Sequence, residues 1–248
     1  PAWVASSLVV QGFALWVAGR PGEALAPLAE AYDLHAQLGE GECQIEVLAL
    51  QGLAHLALGD VERALALVEQ AVLRGAQGGV GEEGQFEIAY AYAAALQAAG
   101  QPARARSYIE RGYRFLLDIA SQLEDDAARA NVFRRDPITR RLMVEVYALG
   151  IAQPPDGPVE RALPARFEPA RTVPVTLVVD AGPPDEALAY AQGAIGLRRA
   201  RVRRLWEQAR RQGVRPATSE LADALGVSVR TIQRDLRHLR ESVPEVFE

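Results

Sequence analysis

The 248-residue chain contains no lysine; all 27 of its basic residues are arginine. That absence excludes Schiff-base and pyridoxal-phosphate chemistry and removes the lysine of a phosphate-binding loop. A single cysteine, Cys43, and three histidines far apart in sequence, His35, His55 and His238, supply neither a disulfide framework nor a Cys/His zinc motif. No apolar run approaches the roughly 20 residues of a membrane span. No basic start followed by an apolar stretch marks a secretion signal. No nucleophile–base pair is visible either. The expectation is a catalytically silent chain with no metal, no cofactor and no membrane contact. What remains suits a globular protein: 49% hydrophobic and 24% charged residues, enough to bury one or two cores. The sequence starts at Pro1 without methionine and is expected to be a piece of a longer cytoplasmic protein.

Charge is unevenly placed. Residues 197–248 hold 12 arginines against 7 acids, whereas residues 1–196 hold 15 arginines against 25 acids. An acidic body with a basic carboxyl end points to two parts with different partners.

Three segments in the first half share one pattern of small and apolar residues. They run Gly12, Leu15, Gly19, Ala24, Leu28, Ala31; then Gly52, His55, Gly59, Ala64, Val68, Ala71; then Ala93, Leu96, Gly100, Ala105, Ile109, Gly112. The units start 40 and 41 residues apart. The first small residue lets a second helix approach closely. The glycine seven residues later can adopt a left-handed conformation and end the helix. The turns RPGE, DVER and QPAR start the second helix, with Pro21 and Pro102 where a first turn tolerates proline. Such a pair cannot bury its apolar face alone, so the units are expected to stack.

This pattern resembles the tetratricopeptide repeat, in a form longer than the usual period of about 34 residues. The resemblance covers residues 3–122 and implies a helical solenoid whose concave face holds a protein or small-molecule inducer. No residue identifies that partner; His55 on an inner helix reads as packed or solvated. The glycine-rich residues 75–84 lack a lysine–serine or lysine–threonine ending, fail as a phosphate loop and read as an inter-repeat loop. Residues 123–150 continue as short helices, resembling the closing helices of repeat regions in large bacterial ATPase-type regulators, and are expected to cap the solenoid. Asp125 and Asp126 read as solvated acids at a helix start, since adjacent helical residues point in different directions.

Residues 151–184 carry eight prolines, at 154, 155, 158, 164, 169, 174, 183 and 184, through which no helix persists. They read as a partly extended linker with one short strand over 173–179. Beyond Pro184 one long helix is expected, weakened at Gly193 and Gly196, with Val202, Leu205, Trp206 and Ala209 as its apolar stripe and Gly213 as its end.

The last motif is ELADALGVSVRTIQRDLRHL, residues 220–239. Thr218 or Ser219 can cap a short helix, Gly226 makes a tight turn and Ser228 caps the next helix. There Ile232, Leu236 and Leu239 fall at i, i+4, i+7 and face inward, while Arg230, Gln233, Arg234 and Arg237 face outward. Asp235 is expected to form a structural ion pair with a neighbouring arginine. The segment resembles the helix-turn-helix of DeoR-type bacterial regulators. That resemblance implies a helix in the DNA major groove. Arg230, Thr231, Gln233 and Arg234 would then read bases, and Arg215, Thr218, Ser219, Ser228 and Arg237 would meet phosphates. Winged relatives continue with a β-hairpin. Here only SVPEVFE follows, so the module either lacks a wing or is cut short of one.

The sequence therefore predicts an all-α protein: a tetratricopeptide-type solenoid over 1–122, a helical cap over 123–150, a linker over 151–184 and a three-helix helix-turn-helix domain over 185–248. The expected function is sequence-specific binding of double-stranded DNA in transcription regulation. The solenoid would sense an inducer or hold a homo-oligomer. The alternative is an interaction scaffold whose tail docks a protein.

Overall fold

A computed structural model of the protein describes residues 2–76, 85–165 and 172–243. The inter-repeat loop predicted over 75–84 falls outside these residues from position 77 on. In chain order the elements are α1 (Ala2–Val17), α2 (Pro21–Leu38), α3 (Gly41–Ala57), α4 (Val61–Arg74), α5 (Gln85–Ala98), α6 (Pro102–Ser121), α7 (Asp126–Val132), α8 (Pro137–Ala148), β1 (Val159–Pro164), β2 (Thr172–Leu177), α9 (Pro183–Arg211), α10 (Thr218–Leu225) and α11 (Val229–Ser242). The chain is mostly helical. Among the described residues no helix is long and apolar enough to cross a membrane. Contacts divide the chain into two units, residues 1–119 with 131–151 and residues 120–130 with 152–248.

The first unit is built from helix pairs. Gly19, Gly59 and Gly100 end the first helix of each pair at φ of 75°, 82° and 73°, a region a side chain rarely occupies. Close approach is the other requirement. A Cβ on Gly12 would lie 2.5 Å from Leu28 Cγ, and one on Gly52 would lie 2.4 Å from Val68 Cγ1. In the third pair Ala93 packs at the equivalent place, fully buried. The repeated alanines Ala24, Ala64 and Ala105 and their partners Leu28, Val68 and Ile109 are also shut off from solvent. Helix starts are fixed by acids. Asp60 accepts from Arg63 N at 3.1 Å, and Asp136 accepts from both Ile138 N and Thr139 N at 2.9 Å.

The second unit adds a small two-stranded ribbon to its helices: the strand expected over 173–179 is β2, and β1 was not expected. β1 and β2 form an antiparallel hairpin, Val159 opposite Leu177 and Pro164 opposite Thr172. The residues expected to be a linker are thus part of a core. Leu163, Val175 and Leu177 pack with Val202, Leu205, Trp206 and Ala209 of α9 and with Leu221, Ile232, Leu236 and Leu239 of α10 and α11. The prolines permit this because both strands of a two-stranded ribbon are edge strands, where a missing N–H is tolerated. The outer backbone of β2 and of Val178 just beyond it is covered by Gln208 of α9 and by Gln212 at the helix's carboxyl-terminal cap. Gln212 accepts from Thr176 N and donates to Thr176 O, both at 2.8 Å. Gln208 accepts from Val178 N at 2.8 Å.

Two further expectations are corrected. The helix predicted beyond Pro184 is broken at Gly193, whose φ of 67° and ψ of −174° are not helical. The chain bends where a glycine meets the least steric resistance. Neither Thr218 nor Ser219 caps α10. Ala217 occupies the cap position, and the Glu220 carboxylate accepts its N–H at 2.6 Å. The acids near residue 125 sit at a helix start as expected, but only Asp125, which accepts from Ala128 N at 2.7 Å, is solvated; Asp126 is half-buried and pairs with Arg129 and, at 3.5 Å, with Arg204.

Candidate nucleic-acid interface

Two short helices and one glycine position the carboxyl-terminal arginines. α10 ends at Gly226 in the left-handed region, φ 62° and ψ 33°, and Val227 N returns to Ala222 O at 3.0 Å. Ala222 is buried at this crossing, where a larger side chain would push α10 and α11 apart. Ser228 then caps α11, its Oγ accepting from Thr231 N at 3.2 Å. Ile232, Leu236 and Leu239 pin the inner face into the core. With that face fixed, the 3.6-residue period turns Arg230, Gln233, Arg234 and Arg237 outward, and all four are exposed.

Asp235 holds the helix from behind. It is 1% exposed and bound by two arginines of α9, Arg198 at 2.6 Å and Arg199 at 3.2 Å. The hydrogen bond to Asp235 raises the Arg198 pKa further. The ion pair expected of Asp235 is present, with partners more than 35 positions away in sequence. Nearby, Arg201 bridges Asp180 at 2.5 Å and Asp185 at 2.8 Å, while Arg204 binds Asp185 at 2.5 Å. Burial pushes the Asp185 carboxyl up, but the Arg204 and Arg201 guanidiniums overcome it and hold the group below the ordinary aspartate range. By contrast, Arg230, Arg234 and Arg237 make no ion pair among the described residues. Intramolecular pairing is therefore concentrated behind the helix, and free positive charge in front of it.

The structure brings some predicted contact residues together and leaves others apart. Thr218, Gln233 and Arg237 line one open groove of about 440 Å³, with Leu236, Arg240 and Glu241. Arg240 was not among the predicted contacts, although it continues the outer face three residues beyond Arg237. Thr231 is half-buried and its hydroxyl is 2.8 Å from that of Ser228, so both hydroxyls serve the cap of α11. Arg215 is exposed and lies over the Trp206 ring, 5.7 Å from its centre. Ser219 is exposed beside the start of α10.

A different cluster joins residues that the sequence separates. His35 Nδ1 lies 2.7 Å from Glu40 Oε2, and the donor atoms of His35, Glu40 and Cys43 all fall within 4.8 Å of one another. The histidine–acid pair recurs one helix later, between His55 and Asp60 at 3.3 Å, where no cysteine follows. In both places the acid's N–H also returns to the histidine carbonyl, at 2.9 and 3.0 Å. The pair is thus a feature of the turn between helices. Comparison with protein-family models, curated proteins and solved structures gives no match.

Proposed function

We propose that the protein is a sequence-specific DNA-binding regulator. In this reading α10, the Gly226 turn and α11 act as a helix-turn-helix, and the helix pairs of the first unit form a tetratricopeptide-type sensing or oligomerisation region. The observation that carries it is the outer face of α11, where Arg230, Gln233, Arg234 and Arg237 stand exposed while Asp235, one of the helix's two acids, is consumed behind it and the other, Glu241, lies at its carboxyl end. A helix of this length fits the B-DNA major groove. Arginine donates two parallel hydrogen bonds to guanine, and glutamine matches adenine in the same way. The exposed residues begin at the helix N-terminus, the end that meets base edges when such a helix docks.

Arg230, Gln233 and Arg234 are assigned to base reading, and Arg237, Arg240 and Arg215 to the phosphate backbone. Thr218 lines the same groove as Gln233 and Arg237, which suits a phosphate contact. Ser219 and Ser228 offer backbone N–H groups near helix starts, the usual place for a phosphate oxygen. Thr231 contributes by fixing the cap. One such module spans few base pairs, so two copies acting together are expected.

The test is selection of bound sequences from a random DNA pool, followed by titration of the selected site. Replacing Arg234 with alanine is expected to lose about 1–3 kcal/mol of discrimination at one base pair. Equal weakening on every sequence would remove Arg234 from base reading. No enrichment from the pool, together with a protein partner whose capture survives replacement of Arg230 and Arg234, would favour the scaffold reading.

A further inference from the structure

The first unit contains a cavity of about 240 Å³ that the proposed DNA contact does not use. This is far more than the roughly 30 Å³ occupied by one water. Its walls come from three helices and are apolar: Val10 and Phe13 of α1, Leu53 of α3 and Ile138 of α8. Two acids enter this apolar lining, Glu46 from α3 and Glu87 from α5. Glu46 is exposed and Glu87 half-buried. Glu87 Oε2 is closed to solvent and has no hydrogen-bond partner. Glu46 forms no ion pair among the described residues. The remaining charged groups facing the cavity are Arg135 and Asp136, and both are committed. Asp136 caps α8 through two backbone N–H groups and the Thr139 hydroxyl, and Arg135 binds Asp136 at 3.4 Å and lies over the Phe86 ring. Among the described residues lining the cavity Arg135 is the one cation, and its ion pair is with Asp136.

We infer that the cavity is a binding site for a small organic cation, an ammonium or amidinium group carried on an apolar body. The apolar walls take up the body, and the cationic head supplies Glu87 with the partner its own chain withholds. An anion would meet two like charges. A neutral alcohol would leave the Glu87 carboxylate, once ionised, without a counter-charge, and a buried charge costs heavily unless it is paired. The proton accounting is specific. Burial pushes the Glu87 carboxyl up to about 8, with Glu46 and Asp136 adding to the shift and Arg135 opposing it. Near neutrality Glu87 therefore holds a proton, and a bound cation must displace it into solvent. This inference does not depend on DNA binding.

The experiment is calorimetric titration of the full chain, without DNA, using hexylamine, phenethylamine and benzamidine. Hexanol and 2-phenylethanol serve as neutral counterparts of the first two. The expected result at pH 8.5 is binding of at least one amine or amidine and no comparable binding of the alcohols. Glu87→Gln should weaken that binding at least tenfold. Glu46→Gln, which leaves the buried residue in place, should weaken it by a smaller factor. Lowering the pH below 7 should weaken wild-type binding by about tenfold per unit, with about one proton released per cation bound. No binding by any of the three cations, equal binding of an amine and its alcohol, or unchanged affinity in both variants would overturn the assignment.

Discussion

Asp235 illustrates how one residue can set the use of a whole surface. In the middle of a helix with four arginines it could have weakened the positive face. Instead it is buried and bound by Arg198 and Arg199, so its charge is cancelled within the unit. Removing one partner of a buried ion pair typically costs about 3–5 kcal/mol. Both arginines here are a quarter to a third exposed, which lowers the expectation to about 2–3 kcal/mol. Asp235→Ala should reduce denaturant stability by that amount, and an unchanged midpoint would contradict the anchoring role. Glu87 lacks such a partner at Oε2, and its pKa is raised in the folded protein, to about 8 from an ordinary 4.5. Its favourable contribution is complete below the ordinary value and is lost as pH rises through about 8. Above that pH the folded state carries an uncompensated charge. Glu87→Gln should therefore match the parent protein at pH 4.5 and exceed it at pH 9. The melting temperature should rise by about 2–4 °C for each kcal/mol recovered. Equal melting curves at both pH values would place the carboxyl in an ordinary aqueous environment.

At the scale of elements, the hairpin shows where sequence reading stops. The helix pairs were legible because their signals are local and repeated. A glycine at the turn, a small residue at the crossing and an apolar partner recur at fixed offsets, and the structure buries the same positions in each pair. The α10–α11 turn was legible for the same reason. The hairpin was legible only in part: the strand expected over 173–179 is β2, but nothing pointed to its partner β1. Its strands depend on partners from α9, some 30 to 36 residues away, and eight prolines obscure the period-two pattern. Gln208 and Gln212 carried no strand signal, yet their amides take up the backbone polar groups of Thr176 and Val178 that an edge strand leaves open. This arrangement blocks edge-to-edge pairing as well as adding hydrogen bonds. Gln212→Ala would leave both Thr176 groups without that partner. It should cost about 1–2 kcal/mol and increase aggregation on heating. Retained stability, with light scattering identical to the parent protein, would show that water replaces the amide without penalty. The exposed residues of α11 fall between these cases. Helical period alone gives their direction, while the ion pairs that hold their helix lie far away in sequence.

At the scale of the molecule, charge must act against itself. The chain carries a net charge of −5, yet its last 52 residues hold 12 arginines against 7 acids. A polyanion is repelled by the sum and attracted by one end, so attraction must come from contacts within about a Debye length, roughly 8–10 Å at physiological salt. Release of counterions from the duplex then dominates the affinity, and log K should fall linearly with log salt by about 0.9 for each phosphate neutralised. This separates two roles on one helix. Arg237→Ala should lower affinity similarly on specific and random duplexes and reduce the salt slope by about 0.9 for each copy bound. Arg234→Ala should change the ratio between the two duplexes instead. Fluorescence anisotropy from 50 to 300 mM salt, on the selected site and a scrambled one, reads both quantities. An Arg237→Ala slope equal to that of the parent protein would move this residue off the phosphate backbone. The front of α11 would then need another source for its salt-dependent attraction, of which Arg240 is the nearest exposed candidate.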